Sequence, residues 1–184
     1  QSQTGTGKTA AFLITIFELL ASDRFKGPRR ALVVSPTREL AVQIEEEARL
    51  LGQGLPYKTA VFYGGVGYGA QEDHLRGGVE IMVGTPGRLL DLAEKRHFDF
   101  KDFGFLVIDE ADRLFDMGFL PDVRRMLRKM QPAGKRQTML LSATMNMETL
   151  SISREFMHEA EDVIVNPEQV TVEKISQELY HVGS

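Results

Sequence analysis

Two short stretches of this chain hold residues whose types and spacing can do chemistry. The first is Ser2-Gln3-Thr4-Gly5-Thr6-Gly7-Lys8-Thr9, which runs straight into the apolar helical pattern Ala10-Ala11-Phe12-Leu13-Ile14. Glycines let successive backbone N–H groups turn inward on an anion, and the helix N-terminus adds partial positive charge. Lys8 can then reach the β- and γ-phosphates of a nucleotide while the Thr9 hydroxyl ligates Mg²⁺. The strict pattern G-x-x-x-x-G-K-[ST] asks for glycine at position 2, where this chain has Ser2, so a second anchor is needed.

That anchor is Phe105-Leu106-Val107-Ile108-Asp109-Glu110-Ala111-Asp112. An apolar run without alternation suits a strand buried on both faces, and the C-terminal ends of such strands are where open α/β sheets bind ligands. Asp109 there can hold Mg²⁺, and Glu110 can polarise an attacking water, the two tasks that γ-phosphate hydrolysis leaves to carboxylates. A dinucleotide fold is the rival reading, because Gly5-Thr6-Gly7-Lys8-Thr9-Ala10 also fits G-x-G-x-x-[GA]. It expects an acidic residue after the next strand. Ala31-Leu32-Val33-Val34 ends instead in Ser35-Pro36-Thr37-Arg38, which argues against it.

These residues need a scaffold, and the rhythm of the chain supplies one. Helical patterns at Lys8–Leu20, Arg38–Leu51, Gly87–Glu94 and Leu120–Met130 alternate with apolar strands at Ala31–Val34, Thr59–Tyr63, Glu80–Val83, Phe105–Ile108, Thr138–Leu141 and Asp162–Val165. The alternation predicts an α/β P-loop domain, a parallel sheet with helices on both faces. Residues 1–165 form that domain in this reading, and residues 166–184, where the rhythm stops, read as an edge element and linker. A P-loop hangs from a preceding strand, so the central strand is expected upstream of Gln1.

Bulk properties fit one soluble domain: 184 residues, 42% hydrophobic and 26% charged. The absence of cysteine excludes disulfides and thiolate metal sites and permits a cytoplasmic setting. No run of apolar residues approaches a membrane span. A net charge of −4 does not advertise nucleic-acid binding, so any such role must rest on local sites. The basic run Arg124-Arg125-Met126-Leu127-Arg128-Lys129 reads by default as the solvated face of an amphipathic helix. His74, His97, His158 and His181 show no ligand spacing, and the eight methionines read as core filler.

Six motifs in order resemble the first RecA-like domain of the DEAD-box ATP-dependent RNA helicases. They are Ser2 to Thr9, Pro36-Thr37-Arg38-Glu39-Leu40, Gly64-Gly65, Thr85-Pro86-Gly87-Arg88, Asp109-Glu110-Ala111-Asp112 and Ser142-Ala143-Thr144. Within the family, Glu39-Leu40-Ala41-Val42-Gln43-Ile44, Tyr63-Gly64-Gly65 and Glu178-Leu179-Tyr180 look most like a bacterial helicase of the RNA degradosome type. The resemblance implies ATP and Mg²⁺ as cofactors. It implies Glu110, Lys8 and Asp109 as catalytic residues, Ser2, Gln3, Thr4, Gly5, Thr6, Gly7, Lys8 and Thr9 as the nucleotide cradle, and Thr9 with Asp109 as the metal ligands. RNA would be gripped through its backbone, without base reading, by Pro36, Thr37, Arg38, Gly64, Gly65, Thr85, Pro86, Gly87 and Arg88. Asp112, Ser142 and Thr144 would couple the nucleotide to those loops. On the residues alone, Arg38 reads first as a helix-start residue, while Gly64-Gly65 could be a simple turn and Ser142 and Thr144 strand-end caps.

The resemblance further implies a second RecA-like domain of the same chain, carrying an arginine finger worth roughly 10³ to 10⁵ in rate. Two other functions stay open at this point. One is a non-catalytic, nucleotide-dependent RNA clamp or adaptor, the other a DNA-translocating relative.

Overall fold

The computed structural model describes residues 7–22 and 27–164. Ser2, Gln3, Thr4, Gly5 and Thr6 lie outside the described residues, as do His181 and the whole of the expected 166–184 segment. Five strands form one parallel sheet: β1 Ala31–Val34, β2 Thr59–Phe62, β3 Ile81–Gly84, β4 Phe105–Ile108 and β5 Gln137–Leu140, in the order β2-β3-β1-β4-β5. Seven helices accompany them: α1 Lys8–Ala21, α2 Arg38–Leu51, α3 Gly69–Arg76, α4 Pro86–Glu94, α5 Ala111–Asp116, α6 Leu120–Lys129 and α7 Met147–Phe156.

The three inner strands are buried along their whole length, as their unbroken apolar sequences require. Alternate residues serve two separate cores. Ala31, Val33, Ile81, Val83, Phe105 and Val107 pack with Phe12, Leu13, Ile16 and Leu20 of α1 and Ala41, Ile44 and Ala48 of α2. Leu32, Val34, Met82, Leu106 and Ile108 face the other way, toward Leu89 and Leu92 of α4, Leu114 and Phe115 of α5, Val123, Met126 and Leu127 of α6, and Ile152 of α7. Each large apolar side chain so buried is worth about 1.5–3 kcal/mol relative to exposure.

Because β1 lies between β3 and β4, the chain first winds toward β2 and then crosses back over β1 to build the other half. The crevice at such a reversal, beyond the carboxyl ends of the strands, is where open α/β sheets place their ligands. In register with one another, Val34, Gly84, Ile108 and Leu140 mark that edge.

Gly84 shows how tightly the edge is built. A Cβ there would stand 2.5 Å from the Phe62 carbonyl oxygen and 2.9 Å from Leu89 Cδ2. Only glycine lets β2, β3 and α4 meet at this point, with the Thr85 amide bonding the Phe62 carbonyl at 3.0 Å.

Two expectations are corrected. Asp162, Val163 and Ile164 form no strand and are exposed; Val165 lies outside the described residues. Their two-residue alternation is too short to bury a face. Met147 is 75% exposed and Met117 48%, so these two are not core filler, unlike Met82, Met126 and Met130. The basic run of α6 keeps its expected solvated face and forms surface ion pairs: Arg124 and Arg128 with Glu155 of α7, and Arg125 with Glu94 of α4.

Candidate functional site

At the end of β4 the Asp109 amide still bonds the Val34 carbonyl at 2.9 Å, extending the ladder by one residue. The chain then turns sharply. Glu110 takes left-handed backbone angles, φ 46° and ψ 52°, a conformation that costs a non-glycine residue about 1–2 kcal/mol. The turn swings α5 away and leaves both carboxylates at the strand tip. The Glu110 amide donates to Asp109 Oδ1 at 3.0 Å.

Burial pushes the Asp109 carboxyl up to about 6; the Glu110 amide and the Lys8 charge oppose this, while the Glu110 and Asp112 carboxylates reinforce it. Glu110 Oε2 is buried without a hydrogen-bond partner, its ion pair being Arg113 Nη1 at 3.6 Å. A buried carboxylate left this way is costly unless a positive or donating group meets it.

Asp112 sits in the first turn of α5 and is satisfied instead. Its Oδ2 accepts from the Thr144 amide at 2.9 Å and the Thr144 hydroxyl at 3.0 Å, and its Oδ1 from the Arg113 amide at 3.0 Å. Ser142 Oγ accepts from the Asp112 amide at 3.3 Å and donates to the Thr144 carbonyl at 2.6 Å. Burial alone would raise the Asp112 carboxyl, but the bonds from Thr144, Arg113 and Ser142 outweigh it and the net displacement is downward. Asp112, Ser142 and Thr144 are thus one cluster spanning the ends of β4 and β5.

Helix α1 is entered through Gly7, whose φ of 75° suits glycine. No side chain caps it and its first turn holds no acidic residue, so its positive end is not neutralised from within the helix. Lys8 and Thr9 are half-buried there. The carboxylates fit a hard cation. Among the described residues no three His, Cys, Asp or Glu side chains group as a metal cage, and Mg²⁺ is commonly held by one or two carboxylates together with water and nucleotide phosphates.

The loops after β1, β2 and β3 carry the remaining motif residues along the same edge. Pro36 is buried, and Thr37 caps α2, its hydroxyl oxygen accepting from the Leu40 amide at 3.3 Å. Arg38 is exposed and lies over the Tyr63 ring, 4.6 Å from its centroid. Gly64 and Gly65 are exposed, Gly65 with φ 83°. Thr85 sits at the N-cap of α4 with no side-chain capping bond, and Pro86 and Gly87 open the helix.

Arg88 differs from the outward-facing arginine that a phosphate contact suggests. It is only 8% exposed. Its Nη1 donates to Gln71 Oε1 at 3.0 Å, its Nη2 donates to the Val66 carbonyl at 2.9 Å, and its guanidinium lies 4.4 Å over the Tyr68 ring. Sequence reasoning missed Gln71, Tyr68 and Asp91 as members of this edge. A polar helix such as Gly69–Arg76 has no apolar period, and nothing in it signals that its glutamine is the buried residue.

Paired carboxylates at the tip of β4, with Lys8 opening α1 and hydroxyl and glycine loops along the same edge, fit a P-loop α/β domain of RecA type. Residues 1–152 match the pattern described as DEAD/DEAH box helicase, and the chain belongs to that family. It is 45% identical to the proteins named ATP-dependent RNA helicase RhlB of Salmonella paratyphi B and Salmonella newport, over 98% of this chain and 44% of each relative. A solved structure described as a hypothetical ATP-dependent RNA helicase from Sulfolobus tokodaii superposes with a TM-score of 0.77 at 40% identity, covering 87% of this chain and 45% of that one. The chain therefore spans less than half the length of the relatives it matches. Among the described residues, no helix is long and apolar enough to cross a membrane.

Proposed function

We propose that this domain is the N-terminal ATP-binding and hydrolysing core of an RNA helicase, working in the cytoplasm with ATP and Mg²⁺ as cofactors. The observation that carries the reading is the acidic strand tip. The Asp109 carboxyl, displaced upward, feels the Lys8 charge, and beside it lies a buried Glu110 oxygen without a hydrogen-bond partner, while the neighbouring Asp112 is engaged by Thr144.

Ser2, Gln3, Thr4, Gly5, Thr6 and Gly7 would wrap the phosphates with backbone amides, Lys8 would neutralise the β- and γ-phosphates, and Thr9 and Asp109 would hold the metal. Bound there, Mg²⁺ offsets the negative charge on the β- and γ-phosphate oxygens. Glu110 orients the attacking water and takes its proton. Asp112 is bonded directly to Thr144 and Ser142, so a shift of the strand tip would reach the loop after β5 without an intermediary.

RNA would lie across the loops after β1, β2 and β3. Thr37 and Arg38, the exposed backbone of Gly64 and Gly65, and Thr85 with Gly87 face the same edge, and contacts of this kind hold phosphates without reading bases. Hydrolysis also needs charge stabilisation from the far side of the γ-phosphate. A second RecA-like domain of the same protein would supply it, with residues 166–184 forming part of the connection and residues 1–165 the first body.

The test is phosphate release and duplex displacement at saturating ATP, with and without single-stranded RNA. The protein carrying both domains should hydrolyse ATP in an RNA-stimulated manner, and these 184 residues alone should show little turnover and no unwinding. Stimulation by single-stranded DNA equal to that by RNA, or no turnover in the longer protein, would overturn the reading.

A further inference from the structure

The residues that join the nucleic-acid loops to one another lie outside every motif considered so far. Gln71 is 7% exposed, on the inner side of the short polar helix α3. Its two amide functions point to two different loops. Nε2 donates to the carbonyl of Tyr63, the residue immediately before Gly64 and Gly65, at 3.2 Å. Oε1 accepts from Arg88 Nη1 at 3.0 Å.

Arg88 in turn reaches back to the Val66 carbonyl on the far side of the same glycines. Gly64 and Gly65 are therefore held at both ends, at Tyr63 through Gln71 and at Val66 through Arg88. Tyr63 also stacks under Arg38. One chain of contacts thus links the loop after β1, the glycine loop after β2 and the helix start after β3.

We propose that Gln71 is a positioning residue for RNA: it sets the glycine loop and the α4 start as one preformed surface for a phosphate backbone. The proposal rests on the RNA-binding reading given above. A glycine pair left to itself samples many backbone states, and ordering it only on contact subtracts from affinity. A side-chain amide is suited to this task because it donates and accepts at once. Glutamate keeps the acceptor toward Arg88 but sets a carboxylate oxygen against the Tyr63 carbonyl. Alanine removes both bonds.

The test uses the full-length protein and compares the parent with Gln71→Ala and Gln71→Glu. For each, three quantities are measured: ATP affinity without RNA, the single-stranded RNA concentration giving half-maximal ATPase stimulation, and the maximal rate at saturating RNA. Gln71→Ala should raise the half-maximal RNA concentration by about tenfold, the equivalent of one buried hydrogen bond. ATP affinity and the maximal rate should hold. Gln71→Glu should fall between the parent and Gln71→Ala.

A general loss of structure would instead lower ATP affinity and maximal rate together, and such a result in both variants overturns the positioning role. Should Gln71→Ala alone fail to fold, Gln71→Glu decides by the same criteria. A half-maximal RNA concentration within twofold of the parent overturns the proposal while leaving RNA binding intact. A parent that shows no RNA stimulation overturns the RNA reading, and this proposal with it.

Discussion

The acidic tip of β4 and the glycine loop after β2 lie on the same edge of one sheet, yet they treat polar groups in opposite ways. At the tip, Glu110 holds a left-handed backbone and a buried oxygen with no hydrogen-bond partner, and Asp109 is displaced upward. Around the glycine loop, Gln71 and Arg88 satisfy one another and two backbone carbonyls. Groups meant for a small multivalent anion and its cation are left with capacity to spare. A surface meant for a long, regular backbone gains more from being rigid beforehand. The first arrangement lowers stability to keep chemistry available; the second spends buried polar groups on shape.

Breaking the acidic side should have the largest functional effect. Glu110→Gln preserves size but cannot take a proton, so RNA-stimulated hydrolysis in the full-length protein should fall by about 10²–10⁴-fold, with ATP affinity unchanged by calorimetry. Parental turnover in this variant would remove Glu110 from the chemistry and erase the contrast.

Breaking the glycine-loop side should instead register in stability. Arg88→Ala leaves Gln71 Oε1 and the Val66 carbonyl without their donor, and denaturant unfolding should show a loss of about 2–4 kcal/mol. If the loss is below about 0.5 kcal/mol, the network does not hold the loop.

A smaller effect should carry the opposite sign. With its carboxyl raised to about 6 in the fold, Asp109 binds more protons folded than unfolded between about pH 4 and 6. Its contribution is therefore favourable at low pH and is lost as pH rises through 6. Asp109→Asn should stabilise the nucleotide-free domain at pH 8 by about 1–3 kcal/mol, and this advantage should shrink steadily as pH falls toward 4. A pH-independent difference in melting temperature would show that burial of the Asp109 charge is not its source.

The smallest change expected is at Tyr68, whose hydroxyl donates to Asp91 Oδ2 at 2.5 Å. That bond, ahead of an opposing contribution from burial and further help from Lys95, holds the Asp91 carboxyl below the usual carboxylate range. Tyr68→Phe should let the Asp91 titration move upward when followed by NMR, with little change in melting temperature. A stationary titration would assign the displacement to Lys95 and Arg88 instead.

How much was legible in the sequence follows the same divide. Strands β1 and β4 have the expected bounds because an unbroken apolar run between polar ends admits few registers. Helix α2 does too, since Thr37 caps it and Gly52 follows it. Helix α3 was missed because its buried residue is a glutamine, and α5 because six residues after a left-handed Glu110 show no period. Helix α7 did carry a signal, Asn146 accepting from the Thr149 amide ahead of Ile152 and Phe156, that capping rules can detect.

Type and spacing singled out the motif residues, and the described ones after β1, β2, β3, β4 and β5 lie along the carboxyl edge of the sheet. The grouping of Asp112 with Ser142 and Thr144 also matches the expected neighbourhood of the β4 and β5 ends. The inward turn of Arg88 was not legible, because its partners Val66 and Gln71 come from another loop and helix, and their approach is a product of packing.

The left-handed backbone at Glu110 has a consequence on an evolutionary scale. Glycine, and to a lesser degree asparagine, fits those angles with less strain, so under the proposed role of Glu110 folding and catalysis ask for different residues at one position. Selection for hydrolysis would then have to hold the glutamate there against a standing mutational pull. In a lineage released from that selection, this position should be among the first to drift, and a glycine or asparagine there would mark a descendant that kept the fold and gave up turnover.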